Sequence, residues 1–226
     1  MFTKIRTVTL ILTFAISIAL TIFFMYLLKA KNRFVRRVWG TFTLKTLSAN
    51  IIVHGEADPE AGLMILNHRS MADIILMESI LPSDPCWIAK AELAKIPFYG
   101  HIIKAPKNIA IEREDRRGLI TLLKLCKERL EEGRTLMIFP EGTRSQDDSL
   151  LEFKPGAKVI AEKYNLKVQP IVILGTDKVL DTKNLRSEPG DIHIKYLPSF
   201  NVTKGEPWLE ELKETMQKEY LELKAL

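Results

Sequence analysis

The sequence predicts an α/β fold, a mixed sheet flanked by helices, behind an N-terminal membrane-embedded helix or helical hairpin. Three observations predict it. Short apolar runs alternate with longer segments of helical period through residues 51–226. Residues 8–28 form 21 consecutive positions without a charge. The charge also changes sign near residue 50. Residues 1–50 hold eight Lys or Arg and no acid, whereas residues 51–226 hold 25 basic and 28 acidic side chains. The 226 residues therefore divide into an anchor, 1–50, and one compact domain, 51–226.

The apolar helix comes first. Val8 to Leu28, interrupted only by Thr9, Thr13, Ser17 and Thr21, reaches about 31 Å as a helix, close to the thickness of a hydrocarbon core. Lys4 and Arg6 precede it, and Lys29, Lys31, Arg33, Arg36 and Arg37 follow it. That asymmetry favours a C-terminal side, and so a following domain, facing the cytoplasm. In the basic segment 29–50, Phe34, Val35, Val38, Trp39, Phe42 and Leu47 interleave with Arg36, Arg37 and Lys45, the pattern of an amphipathic interfacial helix. A single span and a hairpin entering one leaflet both fit. A basic terminus beside an apolar run calls for anionic membrane lipid, not nucleic acid. Neither zinc-finger spacing nor an aromatic-basic RNA signature is present.

Strands follow at Ile51–His54, Leu63–Leu66, Trp87–Ala89, Ile109–Ile111, Leu136–Phe139, Val168–Leu174 and Ile192–Tyr196, read from their short apolar and β-branched runs. Helices fall at Asp73–Leu81, Arg117–Glu131, Gly156–Tyr164 and Trp208–Lys224. Leu119, Leu122, Leu123, Leu125, Cys126 and Leu130 make the apolar stripe of the second of these, and Gly133 supplies its stop. Cys86 and Cys126 read as reduced, buried thiols. His54, His101 and His193 lack metal-ligand spacing, and no P-loop is present, so neither metal nor cofactor is expected.

Two blocks carry chemistry. Asn67-His68-Arg69-Ser70-Met71-Ala72-Asp73 puts a histidine at a strand end and a carboxylate five positions on, where a helix starts. A turn between them lets the acid hold one imidazole nitrogen and leaves the other to take a proton from a hydroxyl. Asp73 as a plain helix cap is the bland alternative. Phe139-Pro140-Glu141-Gly142-Thr143-Arg144-Ser145 follows another strand. Its guanidinium suits a phosphate, and backbone N–H groups near the glycine add to such a site. Here the bland alternative is a surface Glu–Arg pair.

These blocks resemble the glycerolipid acyltransferase family, most closely its bacterial 1-acylglycerol-3-phosphate acyltransferases. Further matching blocks are Ile109-Ala110-Ile111-Glu112-Arg113, where Ala110 stands in place of the family's usual aromatic residue, and Val168-Gln169-Pro170-Ile171-Val172. Lys90-Ala91-Glu92-Leu93, Ile96 to Gly100 and Phe153 to Ala157 also match, so the likeness runs in order over roughly residues 40–200. It implies a glycerol-3-phosphate acyltransferase-like fold. It also implies acyl transfer from acyl carrier protein or coenzyme A to the sn-2 hydroxyl of lysophosphatidic acid, giving phosphatidic acid without an acyl-enzyme. His68 would be the general base and Asp73 its orienting acid. Arg144 and Arg113 would bind the acceptor phosphate, Glu141 and Gly142 would shape that pocket, and Lys90 and Lys104 would add positive charge. A different lysolipid acceptor, a non-catalytic lipid binder and a lipid hydrolase remain open from the residues alone.

Overall fold

The computed structural model describes residues 2–112, 116–184 and 186–226. The chain opens with α1 (Phe2–Leu27), a 3-10 turn (Lys29–Lys31) and α2 (Asn32–Thr46). Then come β1 (Ala49–His54), β2 (Leu63–Leu66), α3 (Met71–Ile80), β3 (Pro85–Lys90), α4 (Ala91–Lys95), α5 (His101–Lys104), β4 (Ile109–Ile111), α6 (Arg116–Glu131) and β5 (Thr135–Ile138). The chain closes with α7 (Gly156–Tyr164), β6 (Lys167–Leu174), α8 (Thr176–Val179), β7 (Gly190–Tyr196), β8 (Phe200–Asn201) and α9 (Trp208–Lys224).

Among the described residues the strands form one eight-stranded mixed sheet, ordered β1-β7-β6-β2-β5-β3-β4, with β8 also on β6. β6, β2, β5, β3 and β4 run parallel, while β7 is antiparallel to β6 and parallel to β1. Side chains alternate across this sheet. Leu63 and Ile65 of β2 join the core under α6, α7 and α9, and Met64 and Leu66 join the core under α2, α3 and α8. Covered on both faces, β2 and β5 are buried at every residue, hence their unbroken apolar runs. The C-terminal ends of the parallel strands all open on one edge, where ligands of open α/β sheets bind.

The first fifty residues pack against this body. α1 and the segment from Lys29 to Thr46 meet at a 118° bend. Among the described residues no single helix is long and apolar enough to cross a membrane, though this bent pair passes by length and composition. Ile18, Ile22 and Met25 are buried with Val35, Trp39, Ile102 and Ala105. Leu12, Ile16, Leu20, Phe23 and Leu27 of α1, and Phe34, Val38 and Phe42 of α2, point outward as apolar stripes at three- and four-residue spacing.

The basic residues after the bend do not all face outward. Arg36 donates from Nη1 to both Glu78 carboxylate oxygens at 2.7 Å and also pairs with Asp84. Arg33 donates to the Glu78 carbonyl at 2.7 Å, and Arg37 to that of Leu81 at 2.6 Å. These arginines bind the C-terminal half of α3 and the turn after it, whereas Lys29 and Lys31 stay exposed. Gly40 allows the close crossing: a Cβ there would stand 2.9 Å from the Ile75 carbonyl.

The short elements α4, α5, α8 and β8 were not expected from the sequence. Each is five residues or fewer, too short to show a period.

Candidate active site

Loops leaving β2, β5 and β6 converge at the sheet edge. Asn67 joins two of these strand ends: its amide donates to the Ile173 carbonyl at 2.8 Å and accepts from the Ile173 N–H at 2.7 Å. His68 follows, its ring stacked on Phe139 with centroids 3.9 Å apart. Trp87 also stacks on Phe139, at 5.3 Å. The imidazole is thus held by packing before any hydrogen bond is counted.

Ser70 caps α3, accepting from the Ala72 N–H at 3.1 Å, and the Asp73 side chain returns to the Ser70 N–H at 2.9 Å. The same carboxylate reaches His68: Oδ2 lies 2.8 Å from Nδ1. Asp73 is therefore both a capping-box acid and the partner of the histidine, so the two readings of the sequence do not compete. Oδ2 also accepts from the Arg69 N–H at 2.8 Å, and Oδ1 accepts from the Thr176 hydroxyl at 2.5 Å. The carboxylate is buried, and these donors with the helix N-terminus compensate its charge. With Nδ1 facing the acid, that nitrogen carries the proton and Nε2 is left as an acceptor toward the cavity.

Glu141 is turned to backbone N–H groups. It is 2% exposed; Oε1 accepts from the His68 N–H and Oε2 from the Leu151 N–H, each at 2.8 Å. Burial pushes its carboxyl above the ordinary value, opposed by these two N–H groups. The acid in the second block ties the β5 loop to the backbone of the histidine, from behind the cavity and not from its lining. Ser145 completes the tie, its N–H donating to the His68 carbonyl at 2.9 Å.

His68 opens on a cavity of about 610 Å³. Lys90, Gly142 and Arg144 line it, as do Arg69, Lys178 and Lys183. Arg144 is exposed and donates to the Thr182 hydroxyl at 2.7 Å. Arg69 is committed to Asp177, at 2.7 and 3.0 Å, and lies over the Tyr220 ring. Lys104, on α5, is absent from this lining, and Arg113 lies outside the described residues. A smaller apolar cavity of about 90 Å³ lies between α1, α2 and α3 and shares Ile74, Trp87, Ala89 and Leu93 with the larger one. Among the described residues no group of three or more His, Cys, Asp or Glu could hold a metal ion.

Residues 50–174, more than half of the chain, match the family model described as Acyltransferase. This chain belongs to the acyltransferase family. The acyltransferase is 44% identical over 214 residues to a 1-acyl-sn-glycerol-3-phosphate acyltransferase of Helicobacter pylori (strain J99), covering 93% of this chain and 90% of that one. It is 32% identical over 176 residues to the enzyme of that name from Cocos nucifera, covering 77% of this chain but 56% of the plant protein. Its structure matches the crystal structure of the 1-acyl-sn-glycerophosphate (LPA) acyltransferase PlsC from Thermotoga maritima with a TM-score of 0.79 and 27% identity, over 99% and 98% of the two chains.

The sequence reading of this acyltransferase missed Thr176, Lys178 and Lys183. They lie beyond the last matching block, and no local pattern links residue 176 to Asp73, 103 positions earlier. Gly175-Thr176 directly after an apolar strand was the one available signal.

Proposed function

We infer that this chain transfers a fatty acyl group to the free hydroxyl of 1-acylglycerol 3-phosphate, giving phosphatidic acid. The acyl group arrives as a thioester of acyl carrier protein or coenzyme A. The observation that carries the mechanism is the 2.8 Å contact between His68 Nδ1 and Asp73 Oδ2 behind a cation-lined cavity.

His68 Nε2 takes the proton of the acceptor hydroxyl as its oxygen attacks the thioester carbonyl carbon. Asp73 steadies the resulting imidazolium. The tetrahedral intermediate collapses, the carbon–sulfur bond breaks, and the imidazolium returns the proton to the departing thiolate. The protein itself is never acylated. Ser70 supports this direct route, because its hydroxyl is spent on the Leu180 carbonyl, at 2.5 Å, and on the helix cap.

Arg144 holds the acceptor phosphate, with Lys90, Lys178 and Lys183 adding positive potential around it. The apolar cavity sharing a wall with the larger one is the side on which hydrocarbon fits. Residues 1–50 seat the enzyme on the cytoplasmic leaflet of the inner membrane, the apolar stripes of α1 and α2 entering the lipid and Lys29 and Lys31 meeting anionic headgroups.

The test is acyl transfer by purified, detergent-solubilised protein given 1-acylglycerol 3-phosphate or its phosphate-free analogue. The parent uses the phosphorylated acceptor, His68→Ala abolishes turnover, and Arg144→Ala raises the acceptor KM. Normal turnover by His68→Ala would remove the base assignment. Equal use of both acceptors would remove the phosphate clamp.

A further inference from the structure

We propose that Thr176 is a positioning residue of the acyl-transfer reaction, its hydroxyl fixing the plane of the Asp73 carboxylate that orients His68. This rests on His68 being the base.

The arrangement of donors around Asp73 is lopsided. Oδ2 receives His68 Nδ1 and the N–H groups of Arg69 and Ser70, all within 2.9 Å. Among the described residues Oδ1 receives one hydrogen bond, from Thr176 Oγ1 at 2.5 Å. The three donors on Oδ2 hold that oxygen, and rotation about the Cβ–Cγ bond would carry both oxygens off their partners. The Thr176 donor adds a restraint on the opposite side and is what solvates Oδ1. Both residues are fully buried at 0% exposure, so water cannot replace the hydroxyl. A bare carboxylate oxygen at such depth loses its solvation without return.

The fold delivers this hydroxyl by a device that leaves little choice of residue. β6 ends at Leu174, and Gly175 turns the chain with φ of +92°. A Cβ on that glycine would stand 2.3 Å from the Asp191 carbonyl. The turn starts α8 with Thr176 facing the first turn of α3. The Asn67–Ile173 bonds bring the end of β6 beside the end of β2. One strand end thus carries the base and its neighbour carries the group that steadies the base's acid.

The test is kinetic, on the full chain in detergent, with Thr176→Val, Thr176→Ser and His68→Ala beside the parent. Thr176→Val keeps the shape and loses the donor, so kcat falls about tenfold to a hundredfold, the size of a lost hydrogen bond to a charged group. KM for both substrates stays within about twofold, because Thr176 does not line the cavity. Thr176→Ser keeps the donor and holds kcat within about threefold of the parent. Should Thr176→Val fail to fold, Thr176→Ala reads the same loss.

Serine and valine variants that fall together would overturn the proposal, since the methyl packing would then be what matters. So would a Thr176→Val enzyme with parental kcat beside a dead His68→Ala. Turnover surviving in His68→Ala would instead sink the reading of His68 as base.

Discussion

Replacing Glu141 with Gln separates two roles for the acid of the second block. In the structure both carboxylate oxygens accept from backbone N–H groups, His68 on one side and Leu151 on the other. Glutamine offers one acceptor oxygen and one NH2. Whichever way it turns, the NH2 meets a backbone N–H, so one charge-assisted hydrogen bond is lost and a buried donor is stranded. A hydrogen bond to a charged group contributes about 1.5 to 3 kcal/mol, and a stranded buried N–H adds a penalty of similar order. With local relaxation the variant should lose roughly 3 kcal/mol, which lowers Tm by about 6 to 12 °C in a chain of this length. Where the strain falls on the His68 side, the imidazole moves and kcat falls up to about a hundredfold. KM for the lysolipid stays within about twofold, because Glu141 does not line the cavity. Thermal unfolding and steady-state kinetics on one preparation measure both. A Glu141→Gln enzyme with parental Tm and kcat but a tenfold higher acceptor KM would refute this reasoning and return Glu141 to the anion site.

Other perturbations have equally direct outcomes. Glu78→Gln leaves Arg36, nearly buried, with Asp84 as its remaining acid and should cost about 3 kcal/mol; a Tm drop under about 2 °C would show that this cluster does not hold α2 on α3. Gly175→Ala forces a Cβ to within 2.3 Å of the Asp191 carbonyl at φ +92°, so it should lower both Tm and kcat, and an unchanged enzyme would contradict the turn. Burial pushes the Cys126 thiol up to about 12 and also raises Cys86, so a thiol reagent at pH 8 should modify neither in the native protein and both after denaturation. Hydrogen bonds from Lys167 and then Ser199 hold Asp58 at about 2, below its ordinary 3.8. Its stabilising effect is therefore present above pH 3.8 and lost as pH falls through about 2, and Asp58→Asn should blunt the acid sensitivity of Tm in that window.

Much of the fold was legible because the sheet is central and covered. Leu63–Leu66, Ile109–Ile111, Gly156–Tyr164 and Trp208–Lys224 have the bounds their apolar patterns predict, the other strands and helices expected after residue 50 differ at their ends by one or two residues, and α1 starts at Phe2, before the expected Val8. Such runs are forced by burial on both faces or along one stripe. The paired His68 and Asp73 were readable because a strand end, a turn and a helix start bring them together over five residues. What was not readable was contact between distant segments. The role of Glu141 depends on where the His68 backbone lies, 73 positions away. Arg33, Arg36 and Arg37 counted as flanking charge in the sequence, but a partner acid and two helix-end carbonyls claim them in three dimensions. Charge alone does not tell a lipid-facing arginine from a packed one.

α3 joins the catalytic edge of the sheet to the first fifty residues. Its first turn carries Asp73, which grips the imidazole, and five residues later Glu78 grips the arginines of α2. At a rise of about 1.5 Å per residue those two acids stand about 7.5 Å apart along the axis. The distance of His68 from the α1–α2 pair is therefore written into one continuous rod and not into a hinge or a tether. A tethered enzyme would have to search for its substrate's hydroxyl at every height its linker allowed. If the bent pair rests on a leaflet as proposed, a rod in place of a tether carries His68 at one elevation, and the search shrinks from three dimensions to two.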